Sequence, residues 1–145
     1  MKTNKSLIRK TYSIFIIMYL NSLGSYIGSG AKFMSKPKFP HGLHGIFISS
    51  GARIGSNAVI FHQVTIGSNT LGDSTRNGSP TIGDNCYIGA GAKIIGNIKV
   101  GDNVRIGANC VVVKDVPDNC VVVSQPARVI IKEEHQNNNF KKYEN

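Results

Sequence analysis

Residues 81–112 read TIGDNCYIGAGAKIIGNIKVGDNVRIGANCVV, and an aliphatic residue returns in them at every sixth position: Ile82, Ile88, Ile94, Val100, Ile106 and Val112. Upstream the same step runs through Ile48, Ile54, Ile60 and Ile66. Ile, Val and Leu make up roughly a quarter of the chain, so ten matches in ten would arise by chance about once in a million. Two further columns keep the step. Gly follows the aliphatic residue at 55, 67, 83, 89, 101 and 107. Four places after the aliphatic comes a small or branched residue: Ala52, Ala58, Val64, Cys86, Ala92, Ile98, Val104, Cys110 and Val116.

A period of six fits neither a helix, at about 3.6 residues per turn, nor a lone strand at 2. It fits a parallel β-helix, in which each hexad is a short strand plus a corner and successive coils stack. The aliphatic residue points inward onto its counterpart one coil away, and the small residue packs inside near a corner. The fold class is therefore all-β.

From Ile66 to Ile82 is sixteen residues where the step predicts six, so about ten are extra. They fall in a loop at 67–81, GSNTLGDSTRNGSPT, rich in turn formers. Solenoids eject such insertions as loops, often on the functional face. Residues 1–24 form a basic and apolar N-terminal segment with a predicted helix, residues 25–131 the β-helix, and residues 132–145 a polar C-terminal tail. A weaker six-step at Ile27, Phe33 and Phe39 predicts an irregular first coil.

The 145 residues make one domain with 41% hydrophobic residues and no Trp. Because each coil touches only its neighbours, the core is thin, and oligomerisation is expected. Three cysteines without metal-ligand spacing argue against a disulfide framework and for a reducing, cytoplasmic setting. The net charge of +9 gathers largely near the ends, at Lys2, Lys5, Arg9, Lys10, Lys141 and Lys142. No aromatic-interleaved nucleic-acid module accompanies it, so nucleic acid is not an expected partner. The apolar run Tyr12 to Leu20 is shorter than the ~20 residues that a membrane span needs, which leaves a capping helix or a peripheral membrane contact through residues 1–24.

The order VTIG before the loop, IGAGAKIIGNIKVG after it and the closing PARVI resembles the serine acetyltransferase-like branch of the hexapeptide-repeat acyltransferases over about residues 26–130. That resemblance implies a left-handed β-helix, a homotrimer, and acetyl-CoA as acyl donor in the groove between subunits, with the ejected loop reaching to a neighbour and no metal. It also implies a catalytic histidine two residues after an inward apolar position and before a G-I-x-I segment. Phe39-Pro40-His41 followed by Gly45-Ile46-Phe47-Ile48 fits with one residue inserted, which leaves His44 as a rival to His41. By spacing, His62 lies one coil beyond His44, so those two should stack on one face.

An imidazole suits the chemistry, because a hydroxyl attacking a thioester must lose its proton near neutral pH. The resemblance places Ser68 and Asn69 where backbone N–H groups would face the thioester oxygen. It puts Ala90 and Ala108 along the pantetheine arm, and Arg105, Lys114 and Arg128 near the cofactor's phosphates. Some of the family's positions differ. The aspartate that orients the histidine aligns with Tyr26, the residue before the histidine is Pro40, and an Arg-His pair that holds serine aligns with Gly78 and Ser79. A sugar hydroxyl in surface polysaccharide synthesis is therefore the expected acceptor. Serine is the alternative, and a non-catalytic or metal-dependent trimeric solenoid is a third class, since His41, His44 and His62 are enough to ligate zinc.

Overall fold

The computed structural model describes residues 14–133 and residue 138. The basic start at residues 1–13 and most of the polar tail lie outside the described residues. Residues 14–22 are helical, as expected for the N-terminal segment. After it come short strands: β1 (Tyr26–Ile27), β2 (Lys32–Phe33), β3 (Phe47–Ile48), β4 (Arg53–Ile54), β5 (Val59–Ile60), β6 (Thr65–Gly67) and β7 (Thr81–Ile82). They continue as β8 (Tyr87–Ile88), β9 (Lys93–Ile95), β10 (Lys99–Val100), β11 (Arg105–Ile106), β12 (Val111–Val112) and β13 (Val121–Val122).

All the paired strands run parallel and build three sheets, ordered β1-β3-β6-β9-β12, β2-β4-β7-β10 and β5-β8-β11-β13. This is the left-handed β-helix, with one sheet on each face of a three-sided prism. Ile48 pairs with Ile66, eighteen residues on, so three hexads close one coil. Ile54 pairs instead with Ile82, twenty-eight residues on. The difference is the ten-residue insertion expected from the sequence.

The aliphatic column is the core. Ile48, Ile60, Ile66, Ile88, Ile94, Val100 and Ile106 have no measurable exposure, and Ala52, Ala58, Val64, Cys86, Ala92, Ile98, Val104 and Cys110 are buried beside them. Fully burying such an aliphatic side chain contributes about 1.5–3 kcal/mol. Val116 departs from the pattern. It bridges Val100, sixteen residues back, so the last coil is two residues short and Val116 occupies an aliphatic place instead of a small one. Cys120 then follows the small column, its carbonyl accepting from the Arg105 N–H at 2.9 Å.

The first coil is irregular in a way that matters for the site. Ile27 pairs with Ile48, Phe33 with Ile54 and Lys38 with Val59, each twenty-one residues apart instead of eighteen. Three extra residues therefore sit between Lys38 and Phe47, in the turn that carries His41 and His44. Phe39 and Leu43 pack their side chains against the core on either side of it. Buried Ser25 clamps the turn from below: its hydroxyl donates to the Leu43 carbonyl and accepts from the Ile46 N–H.

Candidate active site

The bulged turn throws His41 outward over the neighbouring coil. Gly42 and Gly45 have φ of +69° and +65°, a left-handed conformation that residues with a Cβ avoid. The turn is held by the Gly42 N–H donating to the Phe39 carbonyl and the Gly45 N–H donating to the Leu23 carbonyl, both at 3.0 Å. In this position the His41 Nδ1 lies 2.9 Å from the Nδ1 of His62. The ring of Phe61 meets the His41 ring nearly perpendicularly, with centroids 5.1 Å apart, and Phe61 in turn packs on Tyr87 at 5.0 Å.

His44 does not stack on His62. The backbone register holds, with the Gln63 N–H donating to the His44 carbonyl at 2.8 Å, but the His44 imidazole lies beside Gly42. The three-residue bulge is the physical reason. It lets His41, three residues earlier, reach the imidazole that regular spacing would assign to His44.

The same carbonyl-to-amide ladder continues along this corner. The Gly91 N–H donates to the His62 carbonyl at 3.0 Å and the Asn109 N–H to the Ala90 carbonyl at 2.8 Å. His44, His62, Ala90 and Ala108 thus occupy equivalent places in successive coils. The two histidines give way to the small residues Ala90 and Ala108 down this corner, and the Lys93 ammonium donates to the Gln63 carbonyl beside it at 2.6 Å.

Ser68 and Asn69 lie at the other end of the sheet that contains β6, where the insertion leaves the coil. The insertion is a hairpin that folds back on its own chain. Asn69 and Gly78 exchange both backbone hydrogen bonds, at 2.9 and 2.8 Å, and the Ser68 and Ser79 hydroxyls meet at 2.7 Å. The Asn69 N–H is therefore spent on Gly78 and is not free for a thioester oxygen. Arg76 pairs with Asp115 at 2.7 Å, and the Asn97 N–H donates to the Arg76 carbonyl. The Lys99 N–H, and after it the Arg76 guanidinium, hold the Asp115 carboxyl below the usual carboxylate range. At the hairpin tip Leu71 is exposed.

Arg105 projects from β11 in an outward row with Val59, Tyr87 and Val121, three residues before Ala108. Lys114 leaves the far end of β12, at the corner where Ser68 also leaves its coil, and exposed Arg128 follows β13 in a stretch without regular structure. The structure brings His41, His62, Ala90 and Ala108 into one corner and does not bring Ser68, Asn69 or Lys114 there. His62 is the site residue that the spacing argument assigned to the wrong partner. No three His, Cys, Asp or Glu side chains come together to hold a metal ion among the described residues. Burial raises the Cys86 thiol above its ordinary range, and its Sγ donates to the Gly101 carbonyl at 3.2 Å, an inert core position.

Residues 79–114 match the bacterial transferase hexapeptide (six repeats) family. The serine acetyltransferase of Mycobacterium tuberculosis is 48% identical over 86 residues, which cover 59% of this chain and 37% of that protein. That of Synechococcus elongatus is 41% identical over 109 residues, covering 75% of this chain and 43% of that protein. Among solved structures, serine acetyltransferase isoform 3 of Entamoeba histolytica in complex with cysteine superposes with a TM-score of 0.66 at 34% identity, covering 79% of this chain and 40% of that one. The Neisseria gonorrhoeae serine acetyltransferase in complex with serine gives 0.58 at 38% identity, covering 69% and 39%. The chain spans about two-fifths of the length of these relatives.

Proposed function

We propose that this serine acetyltransferase-like hexapeptide-repeat solenoid is an acetyl-CoA-dependent O-acetyltransferase with His41 as its general base. The observation that carries the reading is the His41 imidazole, held outward at the head of a corner whose following positions are the small residues Ala90 and Ala108. Such a corner suits a narrow, flexible thioester arm lying along the coils. His41 takes the hydroxyl proton as the acceptor oxygen bonds to the acetyl carbon, and returns it to the thiolate sulfur as the carbon–sulfur bond breaks. Arg105 and Arg128 are assigned to the phosphates of the donor, and Lys114 and Ser68, at the other end of the sheet from the imidazole pair, to a donor shared with a neighbouring subunit.

Serine is the acceptor that the relatives support, since the proteins similar to this chain are serine acetyltransferases, and nothing in that likeness supports a role in polysaccharide synthesis. A sugar hydroxyl remains a second reading on one specific observation. Gly78 and Ser79 occupy the closed base of the hairpin, and Arg76 is paired with Asp115, so among the described residues the hairpin offers no free cation for a serine carboxylate. The assay that decides is release of free thiol from acetyl-CoA by the purified full chain, with L-serine and with a panel of sugars. Saturable release with serine is expected. Release with sugars alone moves the acceptor to the second reading, and no release with any acceptor sinks the enzyme reading. His41→Ala should lower turnover about 10²–10⁴-fold while His44→Ala stays active.

A homotrimer belongs to the same proposal. Outward-facing Phe47, Val111, Val121 and Val123 leave exposed apolar side chains, set among Thr65, Lys93 and Arg105, that a neighbouring subunit would cover, and a monomer in sedimentation at micromolar concentration would count against it. Contact of residues 1–24 with an anionic membrane surface is supported by the exposed run from Ile14 to Tyr19 next to a basic segment. Flotation with anionic vesicles but not with zwitterionic ones is the expected result.

A further inference from the structure

We infer that His62 is the positioning residue for His41, accepting its Nδ1 proton and so leaving the Nε2 lone pair as the basic face; the inference deepens the acetyltransferase reading and rests on it. Two Nδ1 atoms 2.9 Å apart are at hydrogen-bond distance, and a neutral imidazole carries a single N–H. One ring must therefore donate through Nδ1 and the other accept there. When His41 donates, its proton sits on Nδ1 and Nε2 is bare. His62 then carries its own proton on Nε2.

The direction of donation follows from the base role: if His62 donated instead, the single proton of His41 would sit on Nε2 and leave that ring no lone pair for the acceptor's proton. His62 is half-buried at a regular corner, between buried Ile60 and Val64, and its carbonyl is bonded to the next coil through the Gly91 N–H. His41 is exposed on the bulged turn, followed by Gly42, which offers no side chain to pack against. The anchored ring positions the free one. Phe61 closes off another side of His41 and is itself held by Tyr87, so the His41 ring is fixed by two neighbours, only one of them polar.

The pairing fills a gap left by the sequence. Tyr26 stands where the resemblance predicts an orienting aspartate. Among the described carboxylates, Asp84, Asp102 and Asp118 are bonded to backbone amides at a different corner, Asp115 is bonded to Arg76 and Lys99, Asp73 lies in the insertion and Glu133 beyond β13. A neutral imidazole can do the orienting part of a carboxylate's work. It selects the tautomer and the ring plane, and it lets the charge that His41 gains during transfer spread across the shared proton. It adds no resident negative charge to the corner that continues as Ala90 and Ala108.

The test uses the full chain with ring-15N histidine, together with His62→Leu and His62→Gln. In the wild type, nitrogen NMR at a pH where both rings are neutral should show His41 protonated at Nδ1 and bare at Nε2, with a coupling between the two Nδ1 nuclei across the hydrogen bond. His62→Leu should abolish the coupling, release His41 to the other tautomer, and lower kcat about 10–100-fold with the KM for acetyl-CoA within about twofold. His62→Gln, whose amide oxygen can accept the same proton, should restore the Nδ1–H tautomer and most of kcat. A wild-type His41 protonated at Nε2, or a tautomer unchanged in His62→Leu, overturns the inference even if both proteins are active. A wild type that shows the coupling but transfers no acetyl group leaves the pair intact and sinks the acetyltransferase reading instead. If His62→Leu does not fold, the wild-type coupling and the His62→Gln kinetics decide.

Discussion

Asn57, Asn85, Asn103 and Asn119 stand one above another with φ between 55° and 59°, and each passes an amide hydrogen bond to the next at 3.1–3.3 Å. Asparagine tolerates the left-handed region because its short polar side chain can bond locally. At Asn103 both effects can be separated. Asn103→Ala loses the backbone preference, about 1–2 kcal/mol, and two exposed amide bonds worth about 0.5 kcal/mol each. Asn103→Gly loses only the bonds. Denaturant melts should therefore rank Gly above Ala, the reverse of the usual order, and an Ala variant as stable as the Gly variant would refute the account. The inward residues were legible because every sixth side chain must be apolar. The triplets GSN at 55–57 and GDN at 83–85 and 101–103 lie in the same sequence, but only the backbone shows what their Asn is for. The sequence pointed to His41 through its neighbours. Its partner was not legible, because three extra residues remove the turn from the register on which spacing arguments depend.

The hairpin at 67–81 is an element that the coils do not need. The Ser68 and Ser79 hydroxyls are 2.7 Å apart, so the insertion leaves and re-enters the coil at nearly one point. Joining Ser68 directly to Ser79 removes ten residues and restores the six-residue step from Ile66 to Ile82. The excised protein should melt within a few degrees of the intact one, since the hairpin adds nothing to the buried core, but transfer acetyl more slowly if the loop shapes the cleft. A collapse of stability on excision would show that the hairpin is part of the fold. What tethers the hairpin is sensitive to acid. The folded state holds the Asp115 carboxyl below its ordinary range, so the tether is complete at neutral pH and is lost as pH falls through that lowered value. Asp115→Asn should mimic this at neutral pH, weakening the hold on Arg76 and speeding tryptic cleavage after it. Equal cleavage of both proteins would mean that the Asn69–Gly78 bridge and the Asn97 N–H bond to the Arg76 carbonyl hold the loop without Asp115. The length of the insertion could be read from the missed beat. Its return onto the coils, through Arg76 and Asp115 thirty-nine positions apart, leaves no periodic trace.

Across the whole molecule, nearly all order is nearest-neighbour order. Each strand inside a sheet pairs with the one a coil before and a coil after, and the small column packs the corners between them. Periodicity therefore predicted the repeating architecture and the irregularity of the first coil, but not the number of residues that each end gains or loses. The first coil carries three residues too many and the last two too few, because the terminal coils meet a regular neighbour on one side only and are free to deviate.

Such a ladder also has a length scale under load. A prism whose coils grip only their neighbours should peel from an end when its termini are drawn apart, giving up one coil at a time. A regular coil of eighteen residues pays out about 60 Å of chain, at roughly 3.3–3.6 Å per residue. The coil spanning Ile54 to Ile82 holds twenty-eight and should pay out about 95 Å. Optical-tweezer traces should then show a staircase with one tread half as long again as the others, and its place in the series reports from which end the solenoid unwinds.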